Sequence, residues 1–262
     1  MNGRRDKVNS VNLSELRVIE DLEFRKPALN VALEESIARS VSQESSLPTL
    51  RFWRDDYSAI IGRSQVAGSE LDLGRCRDRS IPVVRRPTGG GTVLHHPENL
   101  NYSLYLPEPG SGGVEEEAIR LSEPVNRALG KQGLDLGIRS NGLFVDGMKV
   151  GGTAQSRRWG LLHHGTLLVT DNAIMKEMDE FLRAQREGYE ELRHQVASKP
   201  AKVTSLERLL GRRIGLSELI DAIMDKFAEL LDLTPVKGEI NPGEWLLANH
   251  LFDRKYSSSS WT

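Results

Sequence analysis

Cysteine is almost missing from these 262 residues, with Cys76 standing alone. An intrachain disulfide and a cysteine-built metal site are thereby excluded. No apolar run approaches the roughly 20 residues that a membrane helix needs. The opening MNGRRDKVNSVN lacks the apolar core of a secretory signal and reads as a mobile polar tail over residues 1–12. Nor is one sign of charge in excess: a net charge of −2 leaves no global basic field for nucleic acid. No repeat is visible, and the only low-complexity run is Ser257–Ser260. These absences predict a cytoplasmic protein that binds neither membrane nor nucleic acid.

What is present is ordinary globular material, 38% hydrophobic and 27% charged, enough for one large domain over residues 13–262. Val31, Leu33, Ile37 and Ala38 share roughly one face of a helix running from Pro27 to about Gln43. TLRFW (Thr49–Trp53) and SAIIG (Ser58–Gly62) flank Asp55 and Asp56, which suggests a hairpin. Ser69–Arg79 has a helical pattern, and IPVVRR, TVLHH and LNYSLYLP read as strands. A helix is expected from about Glu115 to Lys131. LFVDGMKVGG carries Asp146-Gly147, a strong hairpin signal, and LLHHGTLLVT is another apolar strand. Beyond about Asp171 the pattern turns helical, most clearly in SELIDAIMDKFAELL. Neighbouring strand pairs with helices before and after predict an α/β (α+β) fold: a mixed, largely antiparallel sheet with flanking helices.

Three stretches carry chemistry. RRPTGGGTVLHH (Arg85–His96) places Arg85, Arg86 and three consecutive glycines between two strands. Such backbone is either a plain turn or a cradle whose N–H groups face a phosphate or carboxylate. The spacing fits neither a P-loop nor a dinucleotide fingerprint. Lys149, on a strand leaving a tight turn, is followed by Gly151 and Gly152, which leave room for a ligand to reach its ammonium. That charge suits the activation of an acyl group. The pairs His95-His96 and His163-His164 alternate across their strands, so neither pair chelates one metal, and no metal ligands are assigned. One member of each pair can face a pocket. Cys76, in LGRCRDR, reads as a half-buried helix residue rather than a nucleophile.

Taken together these motifs resemble the lipoate–protein ligase A family of the biotin/lipoate ligase and octanoyltransferase superfamily. The resemblance rests on RRPTGGGTVLHH, GMKVGGTAQ and HHGTLLV. Weaker echoes are NVALEES, LRFWRDDYSAIIGRSQ, KVTSL (Lys202–Leu206) and the closing KYSSSSW. It implies a biotin/lipoate ligase-like fold and ATP-dependent activation of lipoate to lipoyl-AMP. The lipoyl group would then pass to a lysine of an acceptor protein, a lipoyl domain or an H-protein-like carrier. ATP, Mg2+ and lipoate are the implied small molecules. By position, Arg86, Gly91, Thr92, Val93 and Leu94 would hold the ATP-derived part, with Gly90 and Arg85 in support. Arg85, His95, His164 and Thr166 would border the lipoyl group, and Lys149 matches the family's essential lysine at the acyl-phosphate.

This sequence departs from the family pattern at Asn141-Gly142, where Asn-Asp is common, and at His95-His96, where His-Asp is common. The first removes a carboxylate that helps hold magnesium. The chain stops where the family's large domain stops, so a small accessory partner supplying the missing domain is expected, docking through the apolar face around Trp245–Phe252. Two other readings stay open. One is a lipoyl or octanoyl transferase working through a thioester; the cysteine-dependent relatives place that residue near the lysine strand or the chain's end, where this sequence has none. The other is a non-catalytic subunit that binds lipoyl-AMP. A biotin ligase would need a glycine–arginine loop that is missing.

Overall fold

In a computed structural model the structure is described for residues 14–108, 110, 112–139, 142–170, 181–182, 197–199, 201–258 and 260–261. The polar tail, Asn141 and most of residues 171–200 lie outside these residues. The first element is a strand, β1 (Glu15–Arg25), followed by helix α1 (Pro27–Ser42). Then come β2 (Thr49–Asp55), β3 (Ser58–Ile61), α2 (Ala67–Glu70), α3 (Leu73–Asp78), β4 (Val83–Arg85), β5 (Val93–His95) and β6 (Leu100–Leu106). Helix α4 (Val114–Gly130) leads into β7 (Gly137–Arg139), β8 (Gly142–Val145), β9 (Met148–Ser156) and β10 (Leu161–Leu167). The chain continues with α5 (Leu206–Leu210), α6 (Leu216–Leu231), β11 (Thr234–Lys237) and α7 (Pro242–Leu251), which runs on as a π-helical turn, Phe252–Tyr256.

Eight strands form one sheet in the order β11-β1-β2-β6-β10-β9-β8-β7, and β4-β3-β5 form a second, small one. In the large sheet β1 pairs in parallel with β2 and β11, and every other pairing is antiparallel. This is the mixed, largely antiparallel sheet expected. One face packs on α4 and α6, where Leu121, Val125, Leu129, Ile220, Ile223 and Phe227 meet Phe52, Tyr102 and Leu104. The other face meets α1 through Ile37, Ala38 and Val41 against Tyr105 and Leu162. Helix α7 and the small sheet close over α1, joining Ala248 and Leu251 to Val31, Leu33 and Ile60.

The expected hairpin of β2 and β3 does not form. Both edges of β2 are taken, by β1 and β6, so the chain turns at Asp55–Asp56 and sends β3 into the small sheet. The Ser69–Arg79 helix is broken at Leu71, which is extended and bridges to Leu182; Asp72 then caps α3 by accepting from the Arg75 N–H. The Asp146-Gly147 hairpin forms as read, with φ of 48° and 77° at its two central residues, the pattern of a type I′ turn. The apolar face of α7 is already spent inside the fold, since Ala248 and Leu251 are buried against α1 and only Leu246 stands out, 76% exposed. It therefore does not present the docking face expected of it. Among the described residues no helix is long and apolar enough to cross a membrane.

Candidate active site

Between the small sheet and strands β9 and β10 lies a cavity of about 1000 Å3. The glycine loop forms one wall. Gly90 has φ +85°, and its carbonyl lies 2.0 Å from where a Cβ on Gly62 would sit, so both positions need glycine. Arg86 lies beneath the loop, and its guanidinium makes four hydrogen bonds. Nε donates to Thr88 Oγ1 (2.9 Å), Nη1 to the Ile60 carbonyl (3.0 Å), and Nη2 to the carbonyls of Gly89 and Gly91 (2.6 and 2.7 Å). Burial pushes its pKa down to about 10, partly offset by Glu34. Arg86 therefore clamps the loop into shape and also lines the cavity, where its charge reaches Lys149. At the loop's end the Thr92 N–H donates to Ser198 Oγ at 2.8 Å. Gly90, Gly91, Thr92, Val93 and Leu94 line the cavity as expected.

Arg85 does not line it. Its Nη1 donates to the carbonyls of Gly62, Arg63 and Gln65, and its Nε donates to that of Trp261. Trp261 Nε1 donates back to the Arg85 carbonyl (2.9 Å), so the closing KYSSSSW motif buttresses the small sheet. The place expected for Arg85 beside a lipoyl group is corrected accordingly: four carbonyls point its guanidinium away from the cavity.

Lys149 faces the glycine loop from β9. Its backbone is held on both sides, its N–H donating to the Lys202 carbonyl (2.7 Å) and its carbonyl accepting from Thr204 (3.0 Å). The side chain crosses Gly142 and Gly152. A Cβ on Gly142 would meet Lys149 Cε at 2.8 Å and the Gly151 carbonyl at 2.2 Å, so an aspartate does not fit there as the strands stand. Burial, with Arg86 nearby, lowers the Lys149 pKa to about 8.

The floor is a buried hydrogen-bonded network. His164 Nδ1 lies 2.6 Å from Glu34 Oε1 and its Nε2 lies 2.8 Å from Thr88 Oγ1. His95 repeats the pattern, with Nδ1 2.9 Å from Asp55 and Nε2 3.0 Å from Thr166 Oγ1, which itself donates to Asn101. Burial alone would push the Glu34 carboxyl up, but His164, Ser103 and Arg51 outweigh it and hold it below the usual range. His95, His164 and Thr166 all line the cavity as expected. His163 points to the other face beside Tyr102, where burial lowers its pKa to about 3. β5 ends at His95, so His96 escapes the alternation and also lines the cavity. Glu34, Asp55 and Thr88 were missed in the sequence. The signal for Glu34 was its spacing, three residues after Val31 and four before Ala38, on the apolar face of α1. Cys76 lies elsewhere, buried with Ala59, Ile61 and Leu71, and burial raises its thiol pKa.

Sheet order, glycine wall and facing lysine together define a catalytic domain of the lipoate and biotin ligase fold. The chain belongs to the lipoyl protein ligase A/B catalytic domain family, whose model matches residues 26–228. It is 30% identical to an octanoyltransferase LipM of Symbiobacterium thermophilum, over 88% of this chain and 92% of that protein. It is equally identical to lipoate-protein ligase A subunit 1 of Thermoplasma acidophilum, over 89% and 90%. Two solved structures superpose well, both 27% identical and both covering 94% of this chain and 98% of theirs. A Thermoplasma acidophilum protein with bound lipoic acid has a TM-score of 0.79, and a lipoate-protein ligase A bound with ATP has 0.78.

Proposed function

We propose that this enzyme is an ATP-dependent lipoate–protein ligase. Lipoate attacks the α-phosphorus of ATP to give lipoyl-AMP and pyrophosphate; an acceptor lysine then attacks the acyl carbon and AMP leaves. One observation carries this choice within the family: the lone thiol of the sequence is buried away from the cavity, while Lys149 lies inside it. A carboxylate and a phosphate repel each other, and a fixed ammonium between them offsets that repulsion before the reaction starts. The glycine wall gives a phosphate close access to backbone, and Val31, Trp53, Ile60 and Leu94 offer apolar lining for an acyl chain.

Among the described residues no cluster of three His, Cys, Asp or Glu side chains fits a metal ion. Any Mg2+ would come held by the nucleotide's own phosphates. The relative named subunit 1 supports a second subunit that acts with this chain on a lipoyl-domain or similar acceptor.

The likeness to LipM favours a second reading, octanoyl transfer between carrier proteins. Mass-shift assays on an acceptor domain separate the two. The ligase reading expects acylation from free lipoate and ATP, retained by Cys76→Ala. Acylation only from an octanoyl-carrier thioester, without ATP and lost in Cys76→Ala, would overturn it.

A further inference from the structure

The segment Gly62–Gln65 backs the glycine wall at three points. The Arg63 N–H donates to the Thr88 carbonyl (2.8 Å), a Cβ on Gly62 would run into the Gly90 carbonyl, and Gln65 Oε1 accepts from Thr92 Oγ1 (3.1 Å). The same Gln65 oxygen accepts from the Gly62 N–H (2.7 Å), which closes the segment on itself. Its carbonyls turn to a single group: Arg85 Nη1 donates to those of Gly62 (3.0 Å), Arg63 (3.0 Å) and Gln65 (2.6 Å). The backing therefore keeps its shape only as well as Arg85 keeps its place.

Arg85 is held by Trp261. Its Nε donates to the Trp261 carbonyl (2.7 Å) and its own carbonyl accepts from Trp261 Nε1 (2.9 Å), so the two residues are joined by side chain and backbone alike. The indole is fixed in turn by the Lys255 ammonium, 4.1 Å from its ring centre, and by Tyr256, packed edge-on with centroids 5.8 Å apart. Lys255 Nζ donates to Glu35 Oε2 at 2.6 Å, and the Tyr256 hydroxyl donates to the same oxygen. Burial alone would push the Glu35 carboxyl up, but Lys255, Tyr256 and Arg39 outweigh it and hold it below the usual range. Glu35 follows Glu34, the carboxylate under His164, so one turn of α1 anchors both the floor of the site and the strut behind its wall. Neither Trp261 nor Arg85 lines the cavity.

We propose that Trp261 is a positioning residue for nucleotide binding, acting through Arg85 on the segment behind the glycine wall. This deepens the ligase reading and rests on it. Bare backbone binds an anion well only if its N–H groups already stand where the oxygens will be. Gly89, Gly90 and Gly91 have no side chains to hold such a shape, so it must be imposed from outside. Arg86 imposes it from below and the Trp261–Arg85 pair from behind. Val31 and Trp53 of the acyl lining stand on α1 and β2, away from this backing, so a displaced wall costs nucleotide affinity and leaves lipoate affinity alone.

Trp261→Phe tests the pair in the full chain, since it keeps a ring against Lys255 and Tyr256 and removes the N–H that reaches Arg85. Calorimetric titration with AMP and steady-state kinetics read the effect. The variant should bind AMP about fivefold more weakly and raise the KM for ATP to match, with kcat and the KM for lipoate within about twofold. Arg85→Lys, which leaves one nitrogen for four carbonyls, should lose about tenfold. Hydrogen exchange at the amides of Gly62 and Gly89–Thr92 should quicken in both variants while that of β6 and β10 stays unchanged. Unchanged AMP affinity and exchange in Trp261→Phe overturns the proposal. So does a fall in kcat with both KM values intact, because that reports a loss of folded enzyme and not a displaced wall. A wild-type chain that binds no AMP refutes the ligase reading, and the exchange rates then decide by themselves whether Trp261 holds the wall.

Discussion

Arg86 offers the sharpest test of how the glycine wall works. If its charge acted directly on the ligand's phosphate, Arg86→Lys would keep most of the function, because an ammonium carries the same charge. As a clamp it cannot be replaced that way. Its four hydrogen bonds diverge to Thr88, Ile60, Gly89 and Gly91 from one planar fork, and a lysine has a single nitrogen on a longer stem. Losing two or three of these at about 1 kcal/mol net each destabilises the domain by roughly 2–3 kcal/mol. For a domain of this size that corresponds to a Tm lower by roughly 4–12 °C. Arg86→Met should be similarly destabilised, and both variants should bind AMP and ATP more weakly to the same extent. Thermal unfolding followed by differential scanning calorimetry, with nucleotide titrations beside it, gives the comparison. Near-native Tm and ATP affinity in Arg86→Lys, with both lost in Arg86→Met, would refute the clamp and restore a direct charge contact.

Lys149→Ala should cut ligation on the order of 10²-fold or more, with little change in Tm. Near-native turnover in a folded variant would remove Lys149 from the mechanism. With its pKa lowered to about 8, Lys149 loses charge as pH rises through that value, so kcat/KM of the free enzyme should fall there; Lys149→Arg should abolish that limb. Stability moves the opposite way. The unfolded lysine, near 10.5, holds more protons between these pH values, so Tm should rise slightly over that window, and a fall would contradict the assignment. If a second subunit is required, the purified chain alone should transfer acyl groups from preformed lipoyl-AMP better than it makes lipoyl-AMP from lipoate and ATP. Full ligation by the chain alone would dispense with that subunit.

The elements legible in the sequence were those whose pattern is local. The Asp146-Gly147 turn needs positive φ at two adjacent residues, and α1, α4 and α6 announce their apolar faces by spacing. β11 was hidden because its edge position lets it carry Pro235 and stay mostly exposed, so it shows no apolar alternation. β1 is hidden because Ile19 and the pair Glu20-Asp21 break the alternation that Leu16 and Val18 begin, so no clean period of two runs along the strand. The β2–β3 error has a different origin. Turn chemistry at Asp55–Asp56 is local, whereas the choice of partner depends on β1 and β6, strands distant in sequence that claim both edges of β2 first.

The same division runs through the candidate site. Motif positions placed Lys149, Gly90, His95 and His164 around one cavity, yet they could not say what each side chain does there. Arg86 reads as a ligand group in RRPTGGG because nothing local reveals that three of its hydrogen bonds return to its own loop. Glu34 and Asp55 give no local sign of their roles because their partners, His164 and His95, lie 130 and 40 residues away. Burying such carboxylates is tolerable only when each is paired, and each is. The pairing also fixes the two imidazoles against the hydroxyls of Thr88 and Thr166, and Thr88 in turn accepts from Arg86. The glycine wall is therefore held from below by a chain that begins at a carboxylate on α1, while its ligand-facing side stays bare backbone. A loop of three glycines would otherwise have no reason to hold one shape, and the buried polar network supplies that reason.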